Sequence, residues 1–298
     1  MNFNKPSLPY ADQIDLLKSR GLQVNDEARA EHYLRHLNYY RLSGYWLPFE
    51  QDHATHRFKQ GVTFEDVLNL YVFDRELRLL LLDAIERIEI SVRANWAYVL
   101  SENYGPHSYL DTEHVHRANW HQTNLKKLIS EIDRSDELFI KHYQKTYTEP
   151  QLPPIWSVAE VMSLGALSHW LTNLKPSDRA DIAAAYGINE FVLKSFMRHL
   201  TYVRNLCAHH SRVWNRSLTV TTAIPRKPNR LGGSCNANQE RRIYNTLAIC
   251  QYLMQIISPN STWAVRLLAL IHEHNIDTKF MGFPVNWTEL ELWQMAGQ

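Results

Sequence analysis

Apolar residues recur at three- and four-residue intervals over most of the chain, and strand-like alternation is rare, so the pattern predicts helices. The longest stripe runs through Val67, Leu70, Leu77, Ala84, Ile85, Ile88 and Val92. Thr63 reads as its N-cap, with Asp66 a shorter stand-in for the usual capping-box glutamate. Upstream, Tyr10 to Arg20 is a short helix closed by Gly21. Asp26 then caps a helix predicted to reach Tyr40, with Ala30, Tyr33, Leu34, Leu37 and Tyr40 on its apolar face. Further helices are predicted over Leu125 to Tyr147, Ser157 to Leu174 and Asp178 to Tyr186, interrupted by prolines around Pro150 and by Gly187. Asn189 caps another, whose stripe is Leu193, Phe196, Met197, Leu200, Val203 and Cys207. Two closing helices follow, over Arg241 to Ile257 and Thr262 to His274. The fold class is all-α.

Before those closing helices the pattern changes. Thr219 to Gln239 holds Pro225, Pro228, Gly232 and Gly233 among Arg226, Lys227 and Arg230, the composition of a flexible basic loop. The organisation expected is a helical domain over 1–217, a loop over 218–240 and a helical segment over 241–298. The loop's charges suit phosphate contacts and a solvated linker equally.

Composition narrows the partners. The formal net charge of 298 residues is +1, too small for a protein that coats nucleic acid, so any such contact is a local patch. Cys207, Cys235 and Cys250 show no spacing for a disulfide framework or a cysteine-built zinc site. No basic leader precedes an apolar stretch, and no apolar run is long enough to span a bilayer. The expectation is a cytoplasmic protein without membrane contact. The i,i+4 pairs Asp74 with Arg78 and Glu89 with Arg93 read as solvated helix faces.

One helix breaks its own pattern. Its last turns place Arg204, Asn205, His209, His210 and Arg212 beside a core-facing stripe, where polar groups are costly unless paired or open to a cleft. Arginine and histidine together suit RNA cleavage without a metal or other cofactor. A neutral imidazole takes the proton from a ribose 2′-hydroxyl, an imidazolium protonates the leaving 5′-oxygen, and a guanidinium stabilises the phosphorane. The products are a 2′,3′-cyclic phosphate and a 5′-hydroxyl. Asn205 lies about 40° round an ideal helix from His209 and can orient its ring. Arg204 and His209 are about 140° apart on the same helix, so a shared phosphate needs a distorted helix end or a second chain. A symmetric homodimer answers that need. His210, Arg212 and Arg216 are candidate RNA contacts.

The run Val203, Arg204, Asn205, Leu206, Cys207, Ala208, His209 resembles the arginine-to-histidine motif of the HEPN superfamily of RNases. The wider chain resembles the Abi family of abortive-infection phage-resistance proteins, of the AbiD and AbiF type. The matching stretches are Lys5-Pro6-Ser7 with Gln13-Ile14 and Leu16-Leu17; Asn38 to Trp46; Tyr71 to Arg78; Ile85 to Glu89; and Arg198-His199-Leu200 leading into Arg204-Asn205. That resemblance implies a HEPN-like helical bundle with an N-terminal helical extension and C-terminal helices. It also implies an RNA-cleaving toxin, with Arg204, Asn205 and His209 as the motif residues, and a small noncoding RNA or antitoxin as partner.

Other readings stand beside it. The same helices can form a scaffold that binds RNA or senses a partner without turnover. The histidines His32 and His36, or His272 and His274 beside Glu273, have spacings that a metal enzyme can use, although no glutamate follows His32 in the HExxH manner. The aromatic cluster Tyr39, Tyr40, Tyr45, Trp46 and Phe49 suits core packing, with base stacking as the alternative.

Overall fold

The computed structural model describes residues 7–294. Lys5 and Pro6 of the first matching stretch lie outside them. Among the described residues the chain is all-α, with one two-stranded sheet. The helices are α1 (Tyr10–Ser19), α2 (Glu27–Leu37), α3 (Tyr39–Trp46), α4 (Phe64–Tyr104), α5 (Ala118–Asp133), α6 (Leu138–Thr146) and α7 (Ile155–Val161). They continue with α8 (Leu164–Asn173), α9 (Pro176–Ala184), α10 (Glu190–Ala208), α11 (Asn229–Gly232), α12 (Tyr244–Ile257), α13 (Trp263–Glu273) and α14 (Glu291–Gln294). The chain divides into two compact units. One holds the residues before Arg78 with Ala269–Ile276, and the other holds Arg78–Leu268 with the residues from Asp277 on.

In the first unit, local capping chemistry sets the helix ends. The Asp26 carboxylate accepts from the Arg29 N–H at 2.9 Å and starts α2. Gly21, at φ 95°, closes α1, with the Leu22 N–H reaching the Leu17 carbonyl at 3.1 Å. The Thr63 hydroxyl accepts from the Asp66 N–H at 3.1 Å while Asp66 accepts from the Thr63 N–H at 2.8 Å, so aspartate does close the capping box of α4.

The helix predicted to run on to Tyr40 instead breaks at Asn38, whose φ is 72° and ψ 139°. That backbone conformation costs a residue with a Cβ on the order of 1–3 kcal/mol. Its side chain offsets part of that by accepting the Tyr40 N–H at 2.8 Å and starting α3. Ala30 and Leu34 are buried as expected, but Tyr40 is 85% exposed. A short hairpin, β1 (Glu50–Asp52) with β2 (Arg57–Phe58), follows α3; nothing in the hydrophobic pattern marks it. The solvated-face reading of Asp74 and Arg78 fails, because both are buried and Asp74 accepts from the Tyr45 hydroxyl at 2.8 Å.

In the second unit, α8 and α9 pack on α10, and α5 packs on α8. The two long helices expected over 125–147 and 157–174 are each divided, at 134–137 and at Met162–Ser163. The Ser163 hydroxyl begins α8 by accepting the Ala166 N–H at 3.2 Å. Residues 218–240 carry buried Leu218, Leu231 and Ser234, and the backbone passes so closely that a Cβ on Gly232 would lie 2.1 Å from the Pro225 carbonyl oxygen. Arg230 sits over the Tyr252 ring, 5.4 Å from its centroid. No helix among the described residues is long and apolar enough to cross a membrane.

Candidate active site

Helix α10 is buried along one stripe and open at one end. Asn189 caps its start by accepting the Phe191 N–H at 2.7 Å. Leu193, Phe196, Met197, Leu200, Val203 and Cys207 are all buried, as their spacing predicts, and Val192 and His199 join them. The stripe fixes the helix axially and rotationally, so the residues of the last turns are held by packing elsewhere along it.

That end carries the candidate chemistry. Arg204, Asn205, His209 and His210 are all exposed. The helix stops at Ala208, and His209 has φ −89° and ψ 14°, off the helical values. His210 then turns left-handed at φ 56°. Its N–H bonds the Cys207 carbonyl at 3.0 Å and the Ser211 N–H bonds the Leu206 carbonyl at 2.9 Å, the paired bonds of a Schellman ending. Glycine is the usual residue at such a position, so histidine there sits in an uncommon conformation. The His209 N–H still bonds the Asn205 carbonyl at 3.0 Å, so the chain departs from helical geometry only beyond the point that sets the angle between Arg204 and His209.

The polar partners divide the candidate residues into two groups. Arg204 Nη1 reaches the Asn205 side-chain oxygen at 3.5 Å, a long contact. The His209 ring makes no side-chain hydrogen bond to the described residues and is open to solvent. Arg212 and Arg216 are half-buried, with Arg216 Nη1 donating to the Arg212 carbonyl at 3.4 Å. Arg216 also bears on Tyr202. Burial raises that phenol's pKa, but hydrogen bonds from Thr219 and Arg216 and the arginine's charge outweigh it and leave the value lowered.

Sequence reasoning missed one acidic group. Glu89, on α4, is not a solvated side chain: 14% of it is exposed, and it is ion-paired with Arg93, which also donates to the Met162 carbonyl. Burial raises the Glu89 pKa, against the opposing charges of Arg93 and of Arg204. The Arg204 charge thus acts on a largely enclosed carboxylate whose ion-pair partner is Arg93. An i,i+4 Glu–Arg pair looks the same in a sequence whether it faces water or a neighbouring helix, so no local signal marked it.

The family follows from residues that span this site. A model of the Abi-like protein family matches residues 32–215, more than half of the chain, from α2 to just past the end of α10. The chain belongs to the Abi-like protein family. Membership suggests a part in abortive-infection phage defence. No curated protein and no solved structure matches the chain.

The remaining histidines of this Abi-like protein are placed differently. His32 and His36 lie side by side on α2 with ring centroids 4.6 Å apart, and the His274 Nδ1 is 2.7 Å from the Asn69 side-chain oxygen. Among the described residues no group of three His, Cys, Asp or Glu side chains is arranged to hold a metal. His199 is buried in α10, its Nδ1 2.8 Å from the Val220 carbonyl and its Nε2 2.7 Å from the Thr246 hydroxyl. Burial pushes its pKa down to about 4, so near neutral pH it is an uncharged structural link.

Proposed function

We propose that this Abi-like protein is a metal-independent endoribonuclease of phage defence, with Arg204, Asn205 and His209 at its centre. The observation that carries the reading is the end of α10, where an exposed arginine, an asparagine and an imidazole without a side-chain hydrogen bond to the described residues are fixed by a buried stripe. A neutral His209 removes the 2′-hydroxyl proton of a bound ribose. The freed oxygen attacks the adjacent phosphorus, and the P–O5′ bond breaks. The leaving 5′-oxygen takes its proton from an imidazolium, supplied by the same motif of a second copy in a symmetric homodimer. Arg204 donates to the non-bridging oxygens as charge builds on them, with the Arg93-paired Glu89 carboxylate as a charge that its guanidinium feels. Asn205 orients the His209 ring, and His210, Arg212 and Arg216 extend the phosphate contacts. A cytoplasmic setting, with a small noncoding RNA or a protein antitoxin restraining the enzyme, completes the proposal.

The experiment is induced expression of the wild type against Arg204→Ala and His209→Ala, with total RNA probed for new 2′,3′-cyclic phosphate ends. Growth arrest with such ends in the wild type and in neither variant supports the nuclease. Arrest that persists unchanged in both variants replaces it with a scaffold that binds without turnover.

A further inference from the structure

Far along the sequence from the α10 motif, the first unit carries a cleft of about 570 Å³ lined mainly by apolar surface. Its size falls in the range of small-molecule sites, and its few polar groups are unevenly satisfied. Arg20 lines it and donates from Nη1 to the Tyr39 hydroxyl at 2.9 Å, with no carboxylate partner among the described residues. Gln13 lines it too. Its amide nitrogen donates to the Leu8 carbonyl at 2.8 Å, while its oxygen is buried and accepts no hydrogen bond from the described residues. That oxygen is closed to solvent, so a donor in the cleft meets it when the half-buried Gln13 side chain turns toward the cavity that it lines.

The aromatic lining has the same character. Half-buried Tyr39 packs edge-on against buried Trp46 with centroids 4.9 Å apart, and both rings form part of the cleft wall. Tyr40 also lines the cleft, but it is 85% exposed and makes no ring contact with the described residues, so its face is open. Tyr39 and Tyr40 are successive residues of α3, so their side chains leave the helix about 100° apart. A stacking face, a guanidinium without a carboxylate and an acceptor without a donor therefore converge on one cavity. A planar base, a phosphate and an exocyclic amine match these three features in turn.

We propose that the cleft between α1 and α3 binds an adenine nucleotide, with the base on Tyr40, its amine toward Gln13 and its phosphate toward Arg20. The nucleotide is either free or one residue of a strand, since the three contacts are the same for both. The site is independent of the ribonuclease reading and uses none of its residues.

Calorimetric titration of the full chain with adenosine monophosphate, inosine monophosphate, adenosine, inorganic phosphate and hexadeoxyadenylate tests it. The last has no 2′-hydroxyl and so resists the proposed cleavage. Adenosine monophosphate is expected to bind more tightly than adenosine, phosphate or the inosine analogue, which lacks the amine. Tyr40→Ala is expected to weaken binding about tenfold, the loss of one stacked base. Arg20→Met should erase the preference for the phosphorylated ligand, and Gln13→Leu the preference for the amine. Binding of hexadeoxyadenylate but not of the mononucleotide, with the same sensitivity to Tyr40→Ala, assigns the site to a strand. The proposal is overturned if neither ligand saturates at millimolar concentration. It is equally overturned if Tyr40→Ala and Arg20→Met, melting as the wild type does, bind unchanged.

Discussion

Two histidines ten positions apart on one helix have opposite surroundings. His199 is enclosed, bonded at both ring nitrogens and held neutral by burial. His209 stands at the capped C-terminal end of the same helix, exposed and without a side-chain hydrogen bond to the described residues. The first has committed its bonding capacity to the fold, and the second has kept it for something else. A histidine is therefore not a clue by itself; what separates a structural imidazole from a candidate catalyst is whether its two nitrogens are already engaged.

The contrast is sharpest in variants that separate activity from stability. Arg204→Ala and His209→Ala are expected to lower RNA cleavage by about 10²–10⁴-fold, the range for an acid–base or charge-stabilising group. Both are exposed, so unfolding free energies should stay within about 0.5 kcal/mol of the wild type. Chemical denaturation beside a cleavage assay measures both. Loss of stability in step with loss of cleavage would erase the distinction.

His199 should behave in the opposite way. Its value falls from 6.5 when unfolded to about 4 when folded. The neutral form is thus favoured by folding: this stability is fully present above pH 6.5 and is lost as pH falls through about 4. The shift corresponds to about 3 kcal/mol. Acid unfolding of the wild type should show that loss between those values, and His199→Gln should lack it. His199→Ala should destabilise by a few kcal/mol, since it leaves Thr246 and the Val220 carbonyl without their partner.

Glu89 connects the packed interior to the exposed end. Glu89→Gln is expected to cost about tenfold in cleavage by removing a negative charge that the Arg204 guanidinium feels. Its folded pKa is raised above 4.5, so its contribution to stability is present below pH 4.5 and lost as pH rises through the folded value. The variant should flatten that part of a stability–pH curve, and a cleavage loss without the flattening would separate Glu89 from the site. The smallest effect belongs to His210. Replacing this left-handed residue by glycine should stabilise the helix end by about 1 kcal/mol, read from denaturant midpoints.

Much of this architecture was legible because it is local. The Asp26 cap, the Thr63–Asp66 box and the α10 stripe depend on residues three or four apart, and each forms as its sequence predicts. The breaks at Asn38 and Met162–Ser163 were not legible, since neither place carries the proline or glycine that normally announces an interruption. Burial of Asp74 and Glu89 was hidden for a different reason. Each looks like half of a surface ion pair until a tertiary neighbour comes to meet it, the Tyr45 hydroxyl at Asp74 and the Met162 carbonyl at the Arg93 partner of Glu89. At the candidate site the motif residues could be read directly, whereas the left-handed ending at His210 depends on backbone geometry that histidine does not advertise.

The most direct measurement uses purified protein in excess chelator and two matched oligonucleotides, one all RNA and one with a single 2′-deoxy residue at the cleaved position. Cleavage of the first to a 2′,3′-cyclic phosphate, with the second intact and His209→Ala inactive on both, is the predicted result. Cleavage of the deoxy-substituted strand at that position, or undiminished cleavage by His209→Ala, would contradict the assignment of the α10 end as a ribonuclease site.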